Sequence, residues 1–182
     1  MLTGPPSRMQ RENGWVGHEV IEGDGVVLRP TSEADLSFLR RFFSDPGVYE
    51  RWDGRPQTDK EIRRKYVGLR SPHVECFIVE KQHRPVGLVQ YHRADGGAGG
   101  GMDMVLMPDE RGRGTGTAAV LAVATLVRDR LGWTRLTVDP DVSNARGVNF
   151  WTRVGFTPVR AVDDERGREP YVLMEWSFSE SA

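Results

Sequence analysis

The run Arg111-Gly112-Arg113-Gly114-Thr115-Gly116 stands between a strand-like segment and a helix-like one. These residue types at this spacing suit a diphosphate. Glycines let the backbone turn tightly and bring its N–H groups close to an anion. A helix opening at Thr115 adds unsatisfied N-terminal donors and the positive end of its dipole. Arg111 and Arg113 offer charge-assisted contacts to phosphate oxygens. The run is not a Walker A loop, because no Gly-Lys followed by Ser or Thr occurs in it. It also lacks the glycine spacing, and the acidic residue at a later strand end, of a dinucleotide-binding turn. A plain turn between strand and helix has the same composition, so these six residues alone leave both readings open.

Other reactive side chains are sparse. Cys76 is the single cysteine and sits in the apolar run Cys76-Phe77-Ile78-Val79, where it reads as a core residue. It permits no internal disulfide and points to a reducing compartment. The four histidines, His18, His73, His83 and His92, show no metal-ligand spacing, so no metal is expected. His92 sits where it can approach a cleft, although surface placement is the simpler reading. The 25 Lys and Arg residues against 26 Asp and Glu leave a net charge of −1, without the basic surplus that nucleic-acid binding needs. The longest apolar stretch, Ala118 to Val127, is too short for a bilayer and contains Thr125. Residues 1–14 lack the apolar core of a signal peptide and read as a flexible polar arm. A cytoplasmic protein with no membrane contact is the expectation.

The elements that would position the loop can be read from pattern. With 182 residues, 38% hydrophobic and 28% charged, the chain suits one domain with a substantial core. Gly25 to Pro30 reads as a first strand. Ser32-Glu33-Ala34-Asp35 reads as a helix start, with Leu36, Leu39, Phe42 and Phe43 at helical spacing and Asp45-Pro46-Gly47 as the stop. Thr58-Asp59-Lys60-Glu61 is a capping box opening a helix over 60–69. Cys76 to Glu80 and Pro85 to Tyr91 flank a polar turn and predict a hairpin. Asp95 to Gly101 reads as a flexible glycine loop, and Met102 to Met107 as a fourth strand closed by Pro108. A helix over 115–130, a fifth strand over 136–139, a helix over 144–154 and two last strands near 157–162 and 171–178 complete a mixed α/β order.

The glycine run, taken as Arg111-x-x-Gly114-x-Gly116 after a strand and before a helix, resembles the acetyl-CoA pyrophosphate loop of the GNAT superfamily. Downstream, Asn144-Ala145-Arg146-Gly147-Val148-Asn149-Phe150-Trp151-Thr152-Arg153-Val154-Gly155-Phe156 resembles its second hallmark, an Asn, a helix carrying an aromatic, then Gly-Phe opening a strand. The resemblance covers about residues 25–178. It implies a single GNAT domain over 15–182 with a mixed, mostly antiparallel sheet of six or seven strands, the fourth and fifth splayed, and about four flanking helices. Within the superfamily the chain is similar to aminoglycoside 6′-N-acetyltransferases. The similar segments are Pro85-Val86-Gly87-x-x-Gln90, Val48-Tyr49-Glu50-Arg51-Trp52-Asp53-Gly54 and Asp139-Pro140-x-x-x-Asn144. Asp103 stands eight positions before Arg111, as does that family's strand aspartate treated as catalytic base.

The resemblance carries a mechanism with it. Acetyl-CoA is the implied co-substrate, held by Met104, Val105, Leu106 and Met107 through backbone groups, by Arg111, Gly112, Arg113, Gly114, Thr115, Gly116 and Thr117 at the phosphates, and by Asn144 and Trp151. Asp103 would take the proton from the attacking amine, and no covalent enzyme intermediate is required. Trp52, Asp53, Gln90, Asp139 and Asp141 would bind a small polycationic acceptor, with Asp163, Asp164 and Glu165 either rimming the site or forming a solvated turn. Trp151 departs from the tyrosine that many members use as general acid, since an indole N–H is no useful acid. The implied activity is N-acetylation of an aminoglycoside antibiotic, a resistance function, by a monomer or homodimer. A siderophore lysine side chain, a polyamine or a protein N-terminus remains open as acceptor, and so does a non-catalytic acyl-CoA-binding role.

Overall fold

The computed structural model describes residues 19–94, 96–163 and 169–178. The arm expected over residues 1–14, and Asp164 and Glu165, lie outside them. Among the described residues no helix is long and apolar enough to cross a membrane.

Eight strands form one sheet: β1 (Ile21–Gly23), β2 (Val26–Pro30), β3 (Val74–Lys81), β4 (Arg84–Arg93), β5 (Gly99–Leu106), β6 (Arg135–Val138), β7 (Thr157–Val162) and β8 (Tyr171–Ser177). Their order is β1-β2-β3-β4-β5-β6-β8-β7. Every neighbouring pair is antiparallel except β5 and β6. The strand beyond the six or seven expected is β1, three residues too short to show a pattern. The β3–β4 hairpin turns at Gln82 and His83, whose φ values of 50° and 60° give the doubly left-handed turn that matches strand twist.

The helices are α1 (Leu36–Ser44), α2 (Pro46–Tyr49), α3 (Asp59–Tyr66), α4 (Thr115–Asp129) and α5 (Ala145–Val154). Asp45-Pro46-Gly47 ends α1 as expected but at once opens the short α2. The Asp45 carboxylate accepts the Gly47 N–H at 2.8 Å, and Pro46 takes the first helical position, where no N–H is needed. At α3 the capping box forms in both directions. Glu61 N–H donates to Thr58 Oγ1 at 3.3 Å, and Thr58 N–H donates to Glu61 Oε2 at 2.9 Å.

Strand alternation divides the core between the two sheet faces. Phe77, Val79, Val89, Tyr91, Met102 and Leu106 pack with the apolar side of α4. Cys76, Ile78, Leu88 and Val105 point the other way, onto α1 and α3. The result is three layers, helix on sheet on helix.

One expectation is corrected. Gly99, Gly100 and Gly101 belong to β5, where all three pair with β6 and Gly100 and Gly101 pair with β4 as well, whereas the sequence placed them in a flexible loop. Their lack of side chains is what admits their neighbours. A Cβ on Gly100 would overlap the His92 carbonyl and the Trp133 ring, and one on Gly101 would overlap the His92 imidazole. The β5–β6 pairing runs only over Gly99↔Arg135, Gly100↔Leu136 and Gly101↔Thr137. From Met102 onward the two strands part. These are the fourth and fifth strands of the sequence count, splayed as expected.

Candidate active site

A cleft of about 420 Å³ opens where β5 and β6 separate, and Asp103, Gln90, His92, Arg70, Asp139 and Tyr171 are among the residues lining it. Asp103 and Gln90 are direct cross-strand partners in β5 and β4, so their side chains share a face. Gln90 Nε2 donates to Asp103 Oδ2 at 2.8 Å. Asp139 follows β6 and brings a second carboxylate to the same cleft. Three sequence-expected residues, Asp103, Gln90 and Asp139, therefore meet in one place.

Arg70, His92 and Tyr171 also line the cleft. Arg70 lies in a turn without recognisable pattern, so nothing local announces it. Tyr171 reaches the cleft through β8, which is joined to the Asp139 segment by the Val172 N–H to Pro140 carbonyl bond of 2.9 Å. Its sequence signal is only its place at the start of a strand. Beneath Gln90, burial pushes the Cys76 thiol up to about 11, so it stays neutral and inert.

Trp52, Asp53 and Asp141 do not line this cleft. The Trp52 indole N–H donates to the Tyr66 hydroxyl at 2.7 Å, and its ring packs against Phe43 and Tyr66. It is half-buried packing rather than an open platform for a sugar. Burial pushes the Tyr66 phenol up to about 12. Asp53 accepts from Lys65 Nζ at 2.8 Å and Gln57 Nε2 at 2.9 Å, so its charge is already matched. Asp141 is exposed and meets Tyr171 through a backbone bridge.

At the glycine loop, Gly112 and Gly114 have φ of +73° and +82°, and a Cβ at either would meet nothing within 4 Å. The loop is therefore open on the face that these Cβ atoms would occupy. It feeds directly into α4, whose first N–H groups at Thr115, Gly116 and Thr117 have no acceptor within the helix. That donor set fits a diphosphate. Arg113 is exposed beside it.

Arg111 has a different job from the one its position in the run implied. Its guanidinium donates to the Leu106 carbonyl through Nε at 3.1 Å and NH2 at 2.8 Å, and to the Gly47 carbonyl at 2.6 Å. It ties the loop to the end of β5 and to α2. Burial, then the nearby Arg51 charge, lowers its pKa from the ordinary value. Thr115 is buried, and its hydroxyl accepts from Lys81 Nζ at 3.2 Å. Lys81 also pairs with buried Glu110 at 3.2 Å. Gly116 faces inward, where an added Cβ would lie 3.1 Å from Met104 Cε and 3.3 Å from the Phe150 ring.

The backbone of β5 narrows the expected thioester contacts. Met107 N–H donates to the Val86 carbonyl at 2.9 Å, which sets the phase of the β4–β5 ladder. Val105 and Met107 thus spend their groups on β4, and those of Met104 and Leu106 face the parted side. The Leu106 carbonyl is taken by Arg111. Asn144 caps α5, accepting the Gly147 N–H at 2.9 Å, and also receives Arg51 at 3.2 Å. Trp151 is a core residue, 8% exposed, edge-on to Phe150 and Phe156, because α5 turns that side toward the sheet.

A helix N terminus with free N–H donors beside a parted parallel strand pair, with carboxylates in the adjoining cleft, is an arrangement suited to a CoA-dependent N-acyltransferase. Residues 26–157 match the acetyltransferase (GNAT) domain, and the chain belongs to that family. Acetyl-CoA is its co-substrate. The chain is 26% identical over 183 residues to an aminoglycoside N(6′)-acetyltransferase type 1 of Serratia marcescens, covering 90% of each. It is 27% identical over 167 residues to the enzyme of the same name in Klebsiella pneumoniae, covering 82% of this chain and 83% of that one. The structure of AAC(6′)-Ib in complex with paromomycin and acetyl-CoA superposes with a TM-score of 0.75 at 25% identity, over 85% of this chain and 94% of that one.

Proposed function

We propose that the protein acetylates an amino group of an aminoglycoside, with Asp103 receiving the proton of the attacking amine. The observation that carries this reading is the cleft itself: two carboxylates, Asp103 and Asp139, beside the gap between β5 and β6. The names and bound ligands of the relatives support the substrate class.

Acetyl-CoA supplies an acetyl group activated as a thioester. The loop from Gly112 to Thr117 holds the diphosphate with backbone N–H groups and the α4 dipole. The Met104 N–H faces the gap and can donate to the developing oxyanion. An aminoglycoside amine arrives as an ammonium, which the Asp103 carboxylate attracts and deprotonates, directly or through a water. Asp139 draws a second ammonium of the same polycation. The amine nitrogen then bonds to the acetyl carbon as the carbon–sulfur bond breaks, and the second proton it sheds on becoming an amide passes to the departing thiolate, directly or through a water. A thiol with an ordinary pKa leaves as thiolate, so no indole acid is needed at Trp151.

The test is acetyl-CoA turnover against kanamycin, ribostamycin, spermidine, a hydroxylated lysine and a peptide N-terminus. The aminoglycosides should turn over fastest, with a KM that rises with salt because the attraction is between charges. Turnover confined to spermidine, the lysine or the peptide overturns the substrate assignment. Asp103→Asn should keep acetyl-CoA affinity and lose about 10²- to 10⁴-fold in kcat/KM, easing as pH rises and the amine arrives neutral.

A further inference from the structure

Three side chains form a line from the turn after α3 to the proposed base. Arg70 donates through Nε to the Lys65 carbonyl at 2.8 Å, closing the C-terminal end of α3. Its NH2 donates to Gln90 Oε1 at 2.8 Å, and the guanidinium lies 5.9 Å from the centre of the Tyr66 ring. Gln90 then donates through Nε2 to Asp103 Oδ2 at 2.8 Å. The Cys76 thiol also reaches Gln90 Oε1, at 3.5 Å.

The amide has unlike ends, and each is matched. Turned by half a rotation, its oxygen would face the Asp103 carboxylate and its NH2 would face the guanidinium. Both contacts repel, acceptor against acceptor and donor against donor. All three side chains are partly buried, which strengthens the preference.

We infer that Arg70 is a positioning residue for acetyl transfer, holding Gln90 with its N–H toward Asp103 so that Asp103 remains a proton acceptor. The consequence appears when Asp103 has taken a proton. A free amide would turn, and Oε1 would accept the new O–H and stabilise protonated Asp103. Arg70 holds Oε1 in place, so the protonated form gains no partner and the proton passes on. This rests on the reading of Asp103 as the base.

Gln90 bonds Asp103 directly, Cys76 on β3 lies behind Gln90, and the titratable or charged groups that share the cleft with Asp103 are His92 on β4, Arg70 in the turn, Asp139 after β6 and Tyr171 on β8. His92→Asn and Asp139→Asn therefore serve as controls for any limb of a pH profile.

The experiment is kcat/KM against pH for the fastest acceptor of the amine panel, with acetyl-CoA affinity and melting temperature on every variant. In Arg70→Met the acid limb should rise by about half to one pH unit, less than the 1–3 units of a direct charge partner. Gln90→Met should move it at least as far, and the double variant no further than Gln90→Met alone. Arg70→Lys, which restores a cationic donor, should return the limb toward wild type. Arg70→Gln is the second variant if Arg70→Met does not fold: its neutral amide can still cap α3 but lets Gln90 turn, so the limb should rise.

An unmoved limb with a lowered melting temperature makes Arg70 only a helix cap and overturns the inference. Additive shifts in the double variant, or a limb that vanishes in His92→Asn, overturn it too. A wild-type profile in Asp103→Asn removes the underlying reading instead. Loss of the limb in Asp103→Asn, with no shift in the Arg70 variants, removes this inference alone.

Discussion

Gly114→Ala separates strain from ligand contact at the glycine loop. Gly114 has φ of +82°, in the left-handed region, and the new methyl would meet nothing within 4 Å. The free protein therefore pays only the backbone term, about 1–2 kcal/mol. For a chain of this length that lowers Tm by about 2–8 °C, at about 2–4 °C per kcal/mol. The methyl points into open space at the N terminus of α4, where the diphosphate would sit. Losing one charge-assisted contact there costs about 1.5–3 kcal/mol, or about 10- to 150-fold in Kd. Gly25→Ala is the matched control. Its φ is +70°, its surroundings are equally open, and it lies in the β1–β2 turn. It should lower Tm by a similar amount and leave acetyl-CoA affinity unchanged. Calorimetric titration of both folded variants with acetyl-CoA, beside thermal melts, reads the two effects apart. Wild-type affinity in Gly114→Ala, or an equal loss in Gly25→Ala, refutes the assignment of this loop.

Two further outcomes follow from packing and burial. Gly100→Ala should cost about 3 kcal/mol or more, since its Cβ would overlap the His92 carbonyl and the Trp133 ring; a melt within about 2 °C of wild type would show that β5 does not pack as described. Stability should also fall in alkali. Burial raises the Cys76 thiol from 9.0 to about 11 and the Tyr66 phenol from 10.0 to about 12, and it raises Tyr91 as well. Groups whose folded pKa lies above the unfolded value contribute fully below about pH 9, and that contribution is lost as pH climbs from about 9 to about 12. Cys76→Ala should flatten the first part of this decline in Tm between pH 7 and 10.5, and an equal decline in that variant would sink the argument.

Features that depend on a few neighbouring residues were legible in the chain. The Thr58–Glu61 capping box, the stop at Asp45-Pro46-Gly47 and the glycine loop before α4 are written in backbone preferences and local hydrogen bonds. The element order and the family resemblance rest on the same local patterns, and both stand. Orientation was another matter. The sequence shows two arginines and three glycines in one loop. Only the fold turns Arg111 onto the Leu106 and Gly47 carbonyls and Gly116 onto Met104 and Phe150, leaving Gly112 and Gly114 open. The same holds for Gly99-Gly100-Gly101, whose composition says loop but whose bare backbone is what lets Trp133, His92 and Arg135 pack against a strand. Trp52 went to the packing around Tyr66 because an indole N–H must find a partner when half-buried, and the partner lies on α3. Arg70, Gln90 and Asp103 are 20 and 13 residues apart along the chain. Their meeting depends on the register of β4 against β5 and on the turn after α3. No local pattern encodes that register; it is set by which apolar residues must reach the two cores.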